Sequence, residues 1–225
     1  MAEGVPTWDR ARCEHCAACS AACAFGACVL FGESVEAEAL ADILAEDRPF
    51  FEASGGGVTI SGGECLTQPD FVLALIRALK ARGISVDLDT CGFVPWEILE
   101  ATLPDTDVYL FDVKAMDPVV HKTCTGRDNR LILENLRRLS EAGARIEIRY
   151  PLVKHWNDGE AEAIARFLSE LQGIVGVRVL AYHDLARSRY RALGKEDTMP
   201  HVKTEESDVR AAEEVFCRYG LRVVH

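Results

Sequence analysis

Short β-branched runs alternate with amphipathic stretches along most of this chain, and that alternation restricts its fold more than any other feature. Val58-Thr59-Ile60 runs into Gly62-Gly63, and residues 68–82 follow with Phe71, Leu75, Ile76 and Leu79 at the spacing of one helical face. Val86-Asp87-Leu88-Asp89 and Val108-Tyr109-Leu110-Phe111-Asp112-Val113 read as further strands. A helix over 129–142 leads to a strand at Arg145-Ile146-Glu147-Ile148-Arg149-Tyr150. A helix over 159–171 leads to Val177-Arg178-Val179-Leu180, and one over 205–219 leads to Leu221-Arg222-Val223-Val224, a candidate sixth strand. Strands and helices taken in turn predict right-handed βαβ units around one parallel sheet, an α/β fold. Ahead of them, Glu36 to Phe51 places Ala, Leu, Ile and Phe at helical spacing, and its acidic residues read as a solvated face.

Parallel sheets hold their ligands at the carboxyl ends of the strands. Glu64, Asp89, Thr90, Asp112, Lys114, Arg149 and His183 each fall within, at or just past a predicted strand end. So many neighbouring polar ends predict a site there. The period of two places Asp112 and Lys114 on the same strand face. Arg149 offers a two-pronged guanidinium suited to a carboxylate.

Residues 1–33 have a different character. Five of the nine cysteines lie within residues 13–28. Cys13, Cys16, Cys19 and Cys23 follow C-x-x-C-x-x-C-x-x-x-C, the bacterial ferredoxin spacing for a 4Fe-4S cluster. Thiolates are soft anionic ligands, and short spacings let one loop wrap a cube; zinc is the competing metal. In two-cluster ferredoxins the fourth cysteine of a run serves the other cluster. With one run present, either Cys23 or Cys28 completes a single cluster, and Ala24 stands where a proline usually follows. The expected organisation is therefore a ferredoxin-like iron–sulfur segment at 1–33 and an α/β domain at 34–225. The isolated Cys91, Cys124 and Cys217 read as small buried apolar side chains.

The formal charge of -11 argues against broad nucleic-acid binding, which needs a basic face. No stretch approaches the roughly 20 apolar residues of a membrane span. Met-Ala-Glu-Gly-Val-Pro lacks a secretory pattern, so the expected location is the cytoplasm.

Ser54-Gly55-Gly56-Gly57-Val58-Thr59-Ile60-Ser61-Gly62-Gly63-Glu64 resembles the SGGGVT-SGGE signature of glycyl-radical-enzyme activases, the pyruvate formate-lyase activase-like branch of the radical S-adenosylmethionine enzymes. The resemblance continues through Leu88-Asp89-Thr90-Cys91-Gly92 and Phe111-Asp112-Val113-Lys114-Ala115-Met116-Asp117, with His121 and Thr125-Gly126 following. Ile148-Arg149-Tyr150-Pro151, Asn157-Asp158 and Ala181-Tyr182-His183 resemble later family elements. Residues 8–33 resemble the second of the two cysteine runs that many of these activases carry.

That resemblance implies a partial (β/α) barrel of parallel strands with a short ferredoxin-like cysteine segment. It implies two cofactors, S-adenosylmethionine and a 4Fe-4S cluster. It implies a glycyl radical enzyme as protein substrate and a flavodoxin or ferredoxin as reductant. Gly62, Gly63 and Glu64 would meet the methionyl amino group, the glycines by close backbone approach and the carboxylate by accepting from an ammonium. Asp89 and Thr90 would lie near the cofactor, Arg149 would hold a carboxylate, and His183 would lie near the ribose. Lys114, with Asp112, would face the methionyl carboxylate or the peptide substrate. Cys65 stands where the family has proline.

One element of the resemblance is missing. Radical S-adenosylmethionine enzymes use C-x-x-x-C-x-x-C near the first strand to leave one iron open, and no such triad occurs in this sequence. Cys19-x-x-x-Cys23 is followed by Gly26 where the third cysteine belongs. The expectation is an activase impaired by this loss, through a truncated or misassigned start. Pairing with a second chain that supplies the triad, or a cluster used only to pass electrons, would equally account for the gap. The competing function is a non-catalytic electron-transfer or S-adenosylmethionine-binding protein. A barrel aldolase or isomerase is a third, and it leaves the cysteine run unexplained.

Overall fold

The computed structural model describes residues 9–30 and 32–225, so Trp8 and Phe31 lie outside the described residues. In chain order the elements are α1 (Ala18–Ala22), α2 (Ala37–Ala45), α3 (Arg48–Ser54), β1 (Val58–Ile60), α4 (Pro69–Ala81), β2 (Val86–Thr90) and α5 (Trp96–Thr102). Then come β3 (Val108–Asp112), α6 (Pro118–Thr125), α7 (Arg130–Glu141), β4 (Ile146–Leu152), α8 (Ala161–Ser169), β5 (Ile174–Ala181), α9 (Arg187–Leu193) and α10 (Glu206–Arg218). They fall into two compact units. One runs up to Val35 and includes Leu185–Met199; the other is Glu36–Asp184 with Pro200–His225.

The larger unit is built on five strands in the order β1-β2-β3-β4-β5, each parallel to its neighbours. This is the α/β sheet that the alternation predicts. The pleat sorts its side chains by chemistry. Val86, Leu88, Tyr109, Phe111, Ile146, Ile148 and Tyr150 are buried in one core with Leu79 of α4, Leu136 and Leu139 of α7, and Ile164 and Leu168 of α8. Each such side chain contributes about 1.5–3 kcal/mol on burial. The alternate positions carry Asp87, Asp89, Asp112, Glu147, Arg149 and Arg178, all of intermediate burial. Register aligns them across the sheet: Asp112 opposes Arg149, which opposes Arg178. One face is thus a hydrophobic floor under helices, and the other is a charged, half-buried surface.

Three expectations change. The helix read over 36–51 is two helices, because Pro49 in the first turn of α3 has no N–H to continue the ladder of α2. The sixth strand reduces to a single parallel bridge, Val177 to Val223. Two backbone hydrogen bonds, Val177 N–H to Arg222 O and Val224 N–H to Val177 O, are all that join it there. Cys217 is exposed rather than buried, since α10 turns its neighbours Ala212 and Phe216 inward. The acidic residues of α2 are exposed as expected, and Glu38 and Asp42 there bind Arg82 at 2.9 and 2.6 Å. β1, three residues long, is the edge strand of the sheet among the described residues, and shortness is one way an edge resists pairing with other chains.

Candidate functional site

At the carboxyl ends of the strands lies a cavity of about 360 Å³. Gly62, Gly63 and Glu64 line it after β1, Asp89 and Thr90 at the end of β2, Asp112 and Lys114 at β3, and Arg149 on β4. Of the strand-end residues singled out from the sequence, only His183 is not on the wall; it is exposed, two residues past β5. The site also contains residues that sequence reading did not single out, among them Cys91, Phe93, Arg127 and Ile132. Their common signal is position: each lies in or just after a loop that leaves a strand end.

Glu64 organises the floor. One of its carboxylate oxygens accepts from Leu66 N–H at 3.2 Å and from the buried Thr90 hydroxyl at 2.9 Å. The other accepts from Cys91 N–H at 2.9 Å. The carboxylate therefore bolts the β1 loop to the end of β2, a role beyond accepting from a ligand. Just before it, Gly62 has φ +153° with nothing within 4 Å of where a Cβ would stand, so its backbone faces open space. Gly92 is under the opposite constraint: φ is +68° and a Cβ would meet the Phe111 ring at 2.2 Å.

Two ion pairs cross the cavity. Arg149 Nη1 lies 2.6 Å from Asp89 Oδ2, which also accepts from Ser61 Oγ at 2.7 Å. Lys114 Nζ lies 2.7 Å from Asp112 Oδ2. Buried asparagines hold the loops that carry these groups. Asn157 donates to the carbonyls of Lys114 and Pro151 at 2.7 and 2.8 Å. Asn129 donates to those of Ala115 and Met116, and Asn135 to those of Gly92 and Val94. Each amide clamps an irregular loop whose carbonyls would otherwise be unpaired. The cavity falls in the usual range for small-molecule sites, about 300–1,000 Å³. Its opposed charges suit a zwitterion bearing an ammonium and a carboxylate, and the described residues thus fit S-adenosylmethionine.

They do not fit a cluster with an open iron at this place. The thiols at hand are Cys91, on the wall, and Cys65, buried beside it. Burial, with Glu64 nearby, pushes Cys65 up to about 12 and Cys91 up to about 11, so neither offers a thiolate. Among the described residues no three or more His, Cys, Asp or Glu side chains are gathered to hold a metal ion.

In the smaller unit Cys13, Cys16 and Cys19 are exposed, and Cys23 and Cys28 are half-buried. Backbone N–H groups of residues 25–28 point at the Cys23 sulfur, that of Cys28 foremost, and hold its pKa below the ordinary thiol value. Such an N–H cradle suits a thiolate, and the donor chemistry fits iron and sulfur. The Cys28 thiol is pushed up by desolvation and then by a hydrogen bond with Cys19.

Comparison with known proteins gives one consistent result. The family model described as the Radical SAM superfamily matches residues 10–168. The isethionate sulfite-lyase activating enzyme of Nitratidesulfovibrio vulgaris is 37% identical over 215 residues, spanning 93% of this chain and 69% of that protein. The (2S)-3-sulfopropanediol dehydratase activating enzyme of Klebsiella oxytoca is 36% identical over 224 residues, spanning 96% and 71%. A crystal structure of a domain of pyruvate-formate lyase-activating enzyme from Bacteroides vulgatus superposes with a TM-score of 0.63 at 29% identity, over 75% of this chain and 98% of that one.

Proposed function

The chain belongs to the radical SAM superfamily, among the activating enzymes of glycyl radical enzymes, and on that premise we propose that its strand-end cavity is where S-adenosylmethionine binds. Enzymes of this family use S-adenosylmethionine and a 4Fe-4S cluster to place a radical on a glycine of a partner enzyme. The observation that carries the reading is the convergence of the Glu64 hub with the Asp89–Arg149 and Asp112–Lys114 pairs on one cavity.

The residues divide the task. Gly62 and Gly63 present open backbone to the methionyl end, with Glu64 fixing their loop beside Thr90. Asp89, held by Arg149 and Ser61, offers an oriented carboxylate to the ligand's cationic end. Asp112 and Lys114 stand at the end of β3, where the partner's glycine has to approach, and Lys114 donates to the peptide or the ligand there. His183 lies beyond the cavity wall and takes the ribose side. When bound, S-adenosylmethionine supplies the adenosyl group that receives the glycine's hydrogen atom. These side chains orient that group, keep water away from it and hold the charges around it.

Cys13, Cys16, Cys19 and Cys23, with Cys28 as the alternative fourth ligand, hold a 4Fe-4S cluster in a ferredoxin-like segment. A flavodoxin or ferredoxin supplies the electrons, and the protein works in the cytoplasm. The activity of this polypeptide alone is impaired, because its cavity carries no thiolate set. That same observation favours the second reading, a non-catalytic protein that binds S-adenosylmethionine or passes electrons. The test is 5′-deoxyadenosine formation after anaerobic cluster reconstitution with S-adenosylmethionine and a strong reductant. Iron and ligand bound without product is the expected result; steady product would overturn the impairment.

A further inference from the structure

The charges lining the cavity do not all pair. Glu64 is saturated by N–H and O–H donors, Asp89 faces Arg149, and Asp112 faces Lys114. Arg127 is left over. Its guanidinium has no carboxylate partner among the described residues; its Cζ lies 6.0 Å from the centroid of the Phe93 ring. A guanidinium over a ring keeps its N–H edges free to donate.

The backbone beneath this cation is pinned. His121, 3% exposed, places Nδ1 2.8 Å from the Arg127 carbonyl. The Thr125 hydroxyl donates to the same carbonyl at 3.2 Å and accepts from Arg127 N–H at 3.2 Å. His121 and the Thr125-Gly126 turn thus fix an uncompensated cation at the cavity wall.

We propose that Arg127 receives the methionyl carboxylate of S-adenosylmethionine. The assignment rests on the binding role proposed for the cavity and deepens it. The ligand has one anionic group, and leaving a carboxylate unpaired in a partly enclosed cavity is costly. Arg149 and Lys114 already lie 2.6 and 2.7 Å from carboxylates of their own. With no thiolate set at the cavity to present an open iron, the unpaired cation is the group free to take the charge.

The test is a binding cycle by calorimetry on the full chain, stripped of iron with a chelator, with S-adenosylmethionine and its decarboxylated analogue as the two probes. Removing the carboxylate from the ligand should weaken binding to the wild type about tenfold. Arg127→Ala should weaken S-adenosylmethionine binding by the same factor and leave the analogue within about twofold, while Arg127→Lys retains most of the affinity. Thermal melts of both variants confirm that they fold. Equal weakening of both probes by Arg127→Ala, or no weakening of either, overturns the assignment and returns the carboxylate to Lys114 or Arg149. A wild type that binds neither probe overturns the cavity's role as an S-adenosylmethionine site, and this assignment with it. Binding of both probes with no coupling to Arg127 removes the assignment alone.

Discussion

Cys65 replaces the family's proline, and its fate shows what one residue does at this site. Its thiol donates to the Asp89 carbonyl at 3.3 Å, so it fastens the β1 loop to β2 in place of a rigid ring. Burial is the main reason that Cys65 titrates near 12 and Cys91 near 11, against an ordinary 9.0. The reactive form is the thiolate. The folded state therefore keeps both protons as pH rises past 9.0, and the stability that these thiols contribute is lost only as pH climbs toward 11 and 12. Iodoacetamide near pH 8, read by peptide mass spectrometry, should modify the exposed Cys13, Cys16 and Cys19 well before Cys65 and Cys91. Labelling of Cys65 as fast as Cys16 in folded protein would refute this protonation state.

At the scale of the element, the strands carry two patterns at once, and the charged one is a source of strain. Asp87 on β2 is raised above the ordinary 3.8 by desolvation first, then by Asp107 and Glu147. A raised carboxyl binds its proton more tightly in the folded state. Stability from this group is complete below 3.8 and is lost as pH rises through the folded value. Asp87→Asn should accordingly raise the melting temperature near neutral pH and have little effect below 3.8, measured by calorimetry at the two pH values. An unchanged melting temperature at both would mean that the inner face tolerates this charge. The loops tell the complementary story. Asn129, Asn135 and Asn157 are each at most 3% exposed and together donate to six carbonyls around the site. Lone asparagines carry no periodic signal, so sequence reading did not single out the clamps.

At the scale of the whole molecule, the two units divide the cofactors between them in the proposed function. Chemically reconstituted protein should bind about four irons per chain, and Cys16→Ser with Cys19→Ser should reduce that below one. Colorimetric iron analysis of the two proteins decides it; iron retained at full stoichiometry in the double variant would place the metal elsewhere. The same experiment with Cys23→Ser and Cys28→Ser separately resolves the fourth ligand.

Periodicity in the sequence was enough to determine the parallel sheet, because a strand buried on one face has to alternate and a covering helix has to repeat at 3.6. It also determined where the site lies, since a parallel βαβ chain brings every strand's carboxyl end to one rim. Glu64, Asp89, Thr90, Asp112, Lys114 and Arg149 could be chosen for that reason alone. Tertiary structure decided what those residues do to one another. Only the fold brings Glu64 to Thr90 and Cys91, across 26 and 27 residues of chain, and pairs Asp89 with Arg149 on a strand two places away. It moved His183 off the wall, reduced the sixth strand to one bridge and left Arg127 as the unpaired cation among the charges of the site. Those outcomes depend on distances between segments remote in sequence, and a local pattern of residues contains no information about such distances.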